Sequence, residues 1–350
     1  MTTTRWTEAS ESALEPELPI VDPHHHLWDR RPFLDRIPTS GWGLIARQCP
    51  RYLLEELLAD VKGGHNVRAT IYVECGSFYR ADGPPELRSV GETEFANGVA
   101  AMSESGVYGD VRVCKGIIAN ADLTRGDAVP RILEAHAAAG GGRFRGVRQI
   151  ASYDPDPDVL GAVSVGAPGL YTSDAFAAGF EWIERLGLSF DAWVVEPQLP
   201  DVAALARRFP GTAIVLDHVG TPLGVGSYRG LRDDRFSIWR ENIRRLAELP
   251  NVTVKLGGLG MDFCHFPSFL AEPRASSEQL ALEWRPYIET CIEAFGVARC
   301  MFESNFPADL GAGSYRVIWN AFKRIAAGAS DDEKAALFSG TATRVYRLSP

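Results

Sequence analysis

The stretch Val21-Asp22-Pro23-His24-His25-His26-Leu27-Trp28 ends the first of eight short apolar, β-rich runs along the chain. Segments with apolar residues at three- and four-residue spacing separate the runs, which predicts strands alternating with helices and a parallel sheet. Eight such units in about 300 residues favour a single (β/α)8 TIM barrel with long βα loops. No G-x-G-x-x-G follows the first run, so nothing supports a dinucleotide-binding sheet. The predicted strands are Ile20–Asp22, Ala69–Val73, Val111–Cys114, Gly146–Ile150, Ser189–Val195, Ala213–Leu216, Val252–Leu256 and Cys300–Phe302.

Composition and charge limit the class of protein. The chain has 350 residues, of which 45% are hydrophobic and 23% charged, and its formal net charge is −9. This acidic balance argues against nucleic acid and anionic membranes as partners, and no apolar run approaches the ~20 residues of a membrane span. The polar N-terminus does not resemble a signal peptide, and the cysteines show no C-x-x-C spacing, so we expect a cytoplasmic protein. We expect a flexible segment over residues 1–17 and one barrel domain over residues 18–350.

Histidines gather at the predicted strand ends, where a TIM barrel places its catalytic groups. Residues two apart in an extended segment share a face, so His24 and His26 are expected to point together into the barrel mouth while His25 points away. His218 ends the sixth strand in the same way. Converging imidazoles suit a divalent metal or an anionic group. The alternative is a polar strand end whose histidines only hydrogen-bond neighbouring loops.

Further polar residues follow other strands. Glu303 and Asn305 share a face after the eighth strand, and Asn305 lies nearest the mouth. Arg148 and Lys115 suit a substrate carboxylate if they face inward, and each is otherwise an ion-pair member of the barrel wall. The remaining candidates for contact with a small-molecule substrate are Glu196, Trp28, Tyr153 and Trp193.

Four segments resemble the amidohydrolase superfamily, and within it the amidohydrolase 2 group of TIM-barrel hydrolases, which includes sugar-acid lactonases and 2-pyrone-4,6-dicarboxylate lactonase. They are D-x-H-x-H-L-W from Asp22, L-D-H-V-G-x-P from Leu216, K-L-G-G from Lys255 and M-F-E-S-N-F-P from Met301. The resemblance covers essentially the whole chain and is compatible with a homo-oligomer. It implies that His24, His26 and His218 build the site, either by holding a zinc or manganese ion or by acting on a carbonyl directly.

One position departs from the family pattern. The family's eighth-strand aspartate is the general base for water, whereas Asn305 stands at this place. An amide cannot accept a proton at neutral pH, so Asn305 is expected to position water or substrate, and one negative ligand of any metal is missing. Glu303 is then the leading candidate for the base, with Asp309 and Glu196 as alternatives. The same departure is compatible with metal-free action.

These residues predict a hydrolase that opens a lactone, or another ester or amide, of a small polar molecule with or without a carboxylate. The alternative is a metal-dependent decarboxylase of an aromatic or semialdehyde acid, because such lyases share the superfamily. A second alternative is a non-enzymatic barrel that binds a ligand. The missing aspartate favours that alternative, and three histidines at the barrel mouth argue against it.

Overall fold

The computed structural model describes residues 11–161 and 166–349 and contains a closed barrel. Eight parallel strands neighbour one another in chain order, and a backbone bridge between His25 and Phe306 joins the end of the last strand to the first. This arrangement confirms the predicted (β/α)8 TIM barrel. The strands are β1 (Pro19–His25), β2 (Asn66–Val73), β3 (Arg112–Ala119), β4 (Phe144–Arg148), β5 (Ser189–Ala192), β6 (Ile214–Leu216), β7 (Val252–Leu256) and β8 (Cys300–Phe302).

A helix follows each strand and packs against the outside of the sheet. The helices are α1 (Leu54–Val61), α2 (Val90–Glu104), α3 (Val129–Ala139), α4 (Asp174–Arg185), α5 (Leu199–Arg208), α6 (Arg232–Ala247), α7 (Ser277–Phe295) and α8 (Tyr315–Ile325). The sequence does not predict α2, because its buried face uses small residues such as Gly91, Ala96 and Ala100. An apolar period is weak when the buried positions are this small.

Aromatic rings fill the core between the sheet and the helices. Phe302 of β8 stacks on Phe322 of α8 with ring centroids 4.8 Å apart, and it also meets Phe338 at 4.7 Å. On the opposite side, Phe190 of β5 contacts Phe180 of α4 at 5.0 Å. All five rings are fully buried. Burial of one such side chain stabilises the fold by roughly 1.5–3 kcal/mol.

The barrel interior has an apolar floor beneath a polar layer. Apolar side chains from β1, β2, β3, β6 and β8 pack there against Val345, Tyr346 and Leu348 near the C-terminus. The Tyr346 hydroxyl donates a hydrogen bond to Oδ2 of Asp191 in β5, at 2.8 Å. The C-terminal segment therefore closes the floor and reaches the first polar group above it.

β3 extends further than the sequence predicts. The apolar run predicts an end at Cys114 with Lys115 at the mouth, but the strand continues to Ala119. Cys114 has φ +53, which interrupts the regular alternation of an extended strand. The position of Lys115 at a strand end is therefore wrong. Lys115 lies half-buried in the middle of β3, and Asn120 takes the position at the mouth.

The described part of the N-terminal segment, residues 11–17, lies against α7 and α8. Oε1 of Glu11 accepts a hydrogen bond from the backbone N–H of Ser277, and Lys323 donates to the carbonyl oxygens of Leu14 and Glu15, all at 2.8 Å. Residues 1–10, the larger part of the predicted flexible segment, lie outside the described residues. Across both described ranges, every helix is too short or too polar to cross a membrane.

Close packing of β4 against β5 gives a test of the barrel. A Cβ on Gly146 would lie 2.2 Å from Oγ and 2.4 Å from the carbonyl oxygen of Ser189. We expect Gly146→Ala to lower the free energy of unfolding by about 1–3 kcal/mol, because the neighbouring strand cannot move away without disturbing its pairing. Urea unfolding followed by circular dichroism measures the change.

Gly98→Ala is the matched control for this substitution. Gly98 is exposed on α2, and a Cβ there would meet no atom of the described residues within 4 Å. The same change should stabilise the protein by up to about 1 kcal/mol, since alanine is the better helix former. Equal stability of the two variants would contradict the close strand packing at Gly146.

Candidate active site

A cavity of about 510 Å³ lies at the carboxyl ends of the barrel strands. His26, Arg148 and His218 line it from the barrel side. Trp42 lines it from a short helix, Trp42–Gln48, in the connection after β1, and Phe263 lines it from the connection after β7. A cavity of this size and mixed lining suits a small molecule, and its place in the fold is the usual one for the active site of a TIM barrel.

Three histidines form a cluster beside this cavity. The ring centroid of His24 lies 4.9 Å from that of His26 and 4.6 Å from that of His218. His25 turns away, and its Nε2 lies 2.8 Å from Oγ1 of Thr70 on β2. The structure thus brings the three predicted imidazoles together. His26 and His218 line the cavity, whereas His24 is fully buried behind them.

The surroundings of His26 fix which ring nitrogen carries its proton. Nδ1 lies 2.9 Å from the carbonyl oxygen of Val73, which can only accept, so the proton is on Nδ1. Burial lowers the pKa of His26 well below its usual value, and His24 and Arg148 lower it further, so the ring is neutral. Nε2 therefore carries a lone pair that can accept a hydrogen bond but cannot donate one.

His218 is held by Glu303. Nδ1 of His218 lies 2.7 Å from Oε1 of Glu303, and the backbone N–H of His218 donates to the same oxygen at 3.2 Å. His218 has φ +57, and a Cβ on Gly258 would fall 2.3 Å from its ring. The glycine after β7 therefore makes room for the imidazole. Because Nδ1 donates to the carboxylate, Nε2 is the nitrogen that carries the lone pair in the neutral form of this imidazole.

Glu303 is fully buried and ionised. Burial raises the pKa of Glu303, but the nearby His218 and His24 outweigh it and lower the pKa to about 2. Its second oxygen, Oε2, lies 2.8 Å from Nδ1 of His24. A carboxylate with so low a pKa is a weak base, and Glu303 does not belong to the cavity lining. Its geometry suits orientation of the two imidazoles.

A buried lysine supports the cluster from the interior of the barrel. Nζ of Lys255 lies 2.7 Å from Oδ2 of Asp191, 3.0 Å from Oδ1 of Asp217 and 3.0 Å from Nδ1 of His24. Burial lowers the pKa of Lys255, but Asp191 and Asp217 raise it to about 12, so the ammonium stays protonated. Burial raises the pKa of Asp217, but Lys255 and His24 bring it well below its usual value.

Arg148 reaches the cavity with its charge already compensated. Its Nε donates to Oε1 of Glu74 at 2.7 Å, and its Nη1 donates to Oδ2 of Asp217 at 3.3 Å. Nη2 adds a hydrogen bond to the carbonyl oxygen of Glu74 at 2.5 Å, and the guanidinium lies 5.6 Å from the ring centroid of Trp193. Arg148 therefore offers fixed N–H donors rather than an unbalanced positive charge.

Asn305 lines the cavity at a left-handed backbone position, φ +49. Its Nδ2 donates to Oδ1 of Asp309 at 2.7 Å, while its buried Oδ1 has no hydrogen-bond partner among residues 11–161 and 166–349. Burial raises the pKa of Asp309 to about 7. Asp309 is fully buried and outside the cavity lining, so it is poorly placed to act on a substrate.

The donor atoms of His24, Asp217 and His218 lie within 4.8 Å of one another, a spacing that a divalent metal can use. Both ring nitrogens of His24 and both carboxylate oxygens of Asp217 already face a cation. Lys255 Nζ lies 3.0 Å from both Nδ1 of His24 and Oδ1 of Asp217. Arg148 Nη1 lies 3.4 Å from Nε2 of His24 and 3.3 Å from Oδ2 of Asp217. A divalent ion at any of these four atoms would be opposed by an ammonium or a guanidinium, which disfavours His24 and Asp217 as ligands. The Nε2 atoms of His26 and His218 are not among them, so the histidines that line the cavity can still hold a divalent metal.

The other predicted substrate contacts divide into two groups. Trp193 lines the cavity, and its Nε1 donates a hydrogen bond to Oγ1 of Thr221. Lys115 and Tyr153 are outside the lining. Glu196 is also outside it, because the side chain is buried and Nε of Arg235 donates to its Oε1 at 2.5 Å. Burial raises the pKa of Glu196 to about 7.

Trp28 lines the cavity, and so does Arg30, two residues further along the chain. The rings of Trp28 and His26 stack with centroids 6.3 Å apart, and the guanidinium carbon of Arg30 lies 5.7 Å from the Trp28 centroid. The sequence did not predict Arg30, Asp191 or Asp217 as site residues. Asp191 could have been found, because it is a charged residue inside an apolar run. Arg30 has no such sequence signal apart from its place shortly after the histidines.

Known proteins resemble this chain over nearly its full length. The amidohydrolase family model matches residues 21–348. The chain is 34% identical over 338 residues to the uncharacterized protein y4mH of Sinorhizobium fredii, which covers 95% of this chain and 99% of that protein. It resembles the crystal structure of a Burkholderia multivorans amidohydrolase with bound zinc, with TM-score 0.70 and 27% identity, over 94% of this chain and 99% of that one.

A shorter similarity links the chain to a named lactonase. An L-fucono-1,5-lactonase of Burkholderia multivorans is 35% identical over 180 residues, which are 51% of this chain and 58% of that enzyme. The match thus spans less than two thirds of the lactonase. The family model and the nearly full-length similarities together establish that the chain belongs to the amidohydrolase family, in its amidohydrolase 2 group, and is an enzyme of that type.

Proposed function

We propose that this enzyme opens the ring of a small polar lactone by metal-free acid–base hydrolysis. The observation that carries the proposal is the His218–Glu303 pair, in which an imidazole lining the cavity is held at 2.7 Å by an ionised carboxylate. The partial similarity to an L-fucono-1,5-lactonase supports a lactone as the substrate class.

His218 takes the proton of the attacking water in this mechanism. Its Nε2 lone pair is available because Nδ1 donates to Glu303, and the carboxylate stabilises the imidazolium that forms. Water adds to the carbonyl carbon, and the C–O bond of the ring then breaks. The imidazolium returns its proton to the departing ring oxygen, so a hydroxy acid leaves and His218 is neutral again.

Arg148 stabilises the negative charge that develops on the carbonyl oxygen. Two hydrogen bonds to Glu74 fix the guanidinium in advance, so it does not reorganise during the reaction. His26 cannot take this part, because its free nitrogen can only accept. His26 instead accepts a hydrogen bond from the water or from a substrate hydroxyl.

Glu303 and His24 act through other groups. Glu303 keeps the proton of His218 on Nδ1, and His24 lies against the second oxygen of Glu303 at 2.8 Å. Both are positioning residues, since neither lines the cavity. Asn305 is left to orient the water or the substrate through its unpaired Oδ1.

Substitution of His218 by Asn tests the proposed base. Asparagine tolerates a left-handed backbone, so φ +57 does not penalise the variant. We expect kcat/KM for lactone opening to fall by about 10²–10⁴-fold, mainly through kcat. Proton release from a panel of five- and six-membered sugar lactones, followed with a pH indicator, measures the change.

His265→Asn is the matched control. His265 is exposed and has φ +46, so the same substitution is made in a similar backbone conformation outside the cluster of three histidines. Equal losses in both variants would exclude His218 as the base. If the wild-type enzyme releases carbon dioxide from aromatic acids and opens no lactone, the decarboxylase alternative replaces the proposal.

Glu303→Gln tests whether the carboxylate orients His218, because glutamine has nearly the same shape as glutamate. The amide oxygen can still accept from Nδ1 of His218, but the negative charge is lost. We expect kcat to fall by about 10²–10⁴-fold with KM within a few-fold of the wild type, since the imidazolium loses its counter-charge. A raised KM with unchanged kcat would instead place Glu303 in substrate binding.

Metal removal tests the charge argument. We expect untagged enzyme purified without chelator to contain well below about one equivalent of zinc or manganese, measured by plasma mass spectrometry, because Lys255 and Arg148 oppose a divalent ion. Dialysis against EDTA should leave lactone opening unchanged. One metal per chain, together with loss of activity on chelation, would overturn the metal-free mechanism.

A further inference from the structure

No carboxylate among the described residues balances the charge on Arg30. Its Nη2 donates to the carbonyl oxygen of Cys75 at 2.7 Å, which is a neutral acceptor, and its buried Nε has no hydrogen-bond partner in residues 11–161 and 166–349. Within the described ranges, no Asp or Glu oxygen lies within 4.0 Å of this guanidinium. A half-buried guanidinium without an anion is costly, and a carboxylate is its preferred partner.

The neighbouring arginines show the contrast. Arg31 lies directly beside Arg30 in sequence, and its Nη2 is 2.5 Å from Oδ2 of Asp29. Arg148, the other arginine of the cavity lining, is balanced by Glu74 and Asp217. Arg30 thus differs from both by lining the cavity and lacking a counter-ion.

Arg30 lines the same cavity as the histidines. Its guanidinium carbon lies 5.7 Å from the ring centroid of Trp28, and the Trp28 ring stacks on His26 with centroids 6.3 Å apart. Because Arg30, His26 and His218 all line this cavity, one small molecule in it can meet the guanidinium with an anionic group and the imidazoles with its reacting carbonyl.

The acidic residues that line the cavity do not form an ion pair with Arg30. Glu74 is paired with Arg148, and Asp122 with Arg125 at 2.7 Å. Asp262 also lines the cavity and has no cation within 4.0 Å among the described residues, which leaves it free to accept hydrogen bonds from substrate hydroxyls.

We infer that Arg30 is a binding site for a carboxylate of the substrate, and that the enzyme prefers lactones of sugar acids that carry a second, free carboxylate. The identity of the reacting ring rests on the proposed lactone hydrolysis, whereas the anion site does not. Arg30 determines specificity by binding the anion. The sequence predicts this role for Arg148 and Lys115, and no motif or strand end points to Arg30.

A binding measurement tests the anion site without turnover. The probes are tetrahydropyran-4-carboxylate and tetrahydropyran-4-methanol, two oxygen rings that differ in charge and contain no lactone, titrated calorimetrically into the full-length enzyme. We expect the wild type to bind the carboxylate about tenfold more tightly or better. Arg30→Gln should remove this preference, and Arg31→Gln, the matched control next to it, should keep it.

A kinetic measurement extends the test to substrates. D-glucaro-1,4-lactone and D-glucono-1,4-lactone differ only by a carboxylate in place of a hydroxymethyl group. We expect a kcat/KM ratio of about ten or more in favour of the carboxylated lactone, lost in Arg30→Gln through KM and partly kept in Arg30→Lys. Thermal unfolding of each variant checks that the fold is intact.

The outcomes separate the two proposals. No charge preference in the wild type, or a preference that survives Arg30→Gln, overturns the anion site. A preference that depends on Arg30 in an enzyme that opens no lactone keeps the anion site and overturns the proposed reaction. Lactone opening that is equally fast with and without the carboxylate keeps the reaction and overturns the inferred substrate class.

Discussion

A protonated lysine without access to solvent sets the geometry of the site. The ammonium of Lys255 contacts Asp191, Asp217 and His24 at 2.7–3.0 Å, which ties β7 to β5, β6 and β1. Removing one partner from such a buried group leaves an unbalanced charge, which typically costs about 3–5 kcal/mol. The four strands are therefore constrained as one unit, and the imidazoles inherit their positions from that unit.

The charges around Lys255 separate the groups that hold the site from the groups that meet a ligand. Glu303 and Asp217 have lowered pKa values, since each is surrounded by basic side chains, and neither is free to move a proton. The lone pairs of His26 and His218 remain available, as does the charge of Arg30. A residue can therefore act on a substrate only if it has a lone pair or a charge that no neighbouring side chain already uses.

The sequence was sufficient for the barrel and for the histidine cluster. All eight strands overlap the apolar runs that predict them, because a strand buried on both faces leaves a strong pattern. The end of β3 was placed wrongly, since the left-handed backbone at Cys114 interrupts the strand without ending it. No local pattern reports such a bulge in advance.

The chemistry of individual side chains was harder to predict. Glu303 was identified as a site residue, but its distances to His218 and His24 decide between a base and an orienting group. The free charge of Arg30 was invisible for the same reason, because it depends on which carboxylates come near in space. Contacts between distant segments determine both properties, and a single sequence does not specify them.

The hydrogen bond from Tyr346 to Asp191 has a consequence for the order of folding. It joins residues 155 positions apart, and the ring centroid of the phenol also lies 5.6 Å from the Lys255 ammonium. The barrel floor is not closed until this tyrosine packs beneath β5, so the charged layer stays open to water until the segment after α8 is in place. The outer helices can collapse earlier, but the ion pairs of Lys255 lie in a dry interior only once that contact is made.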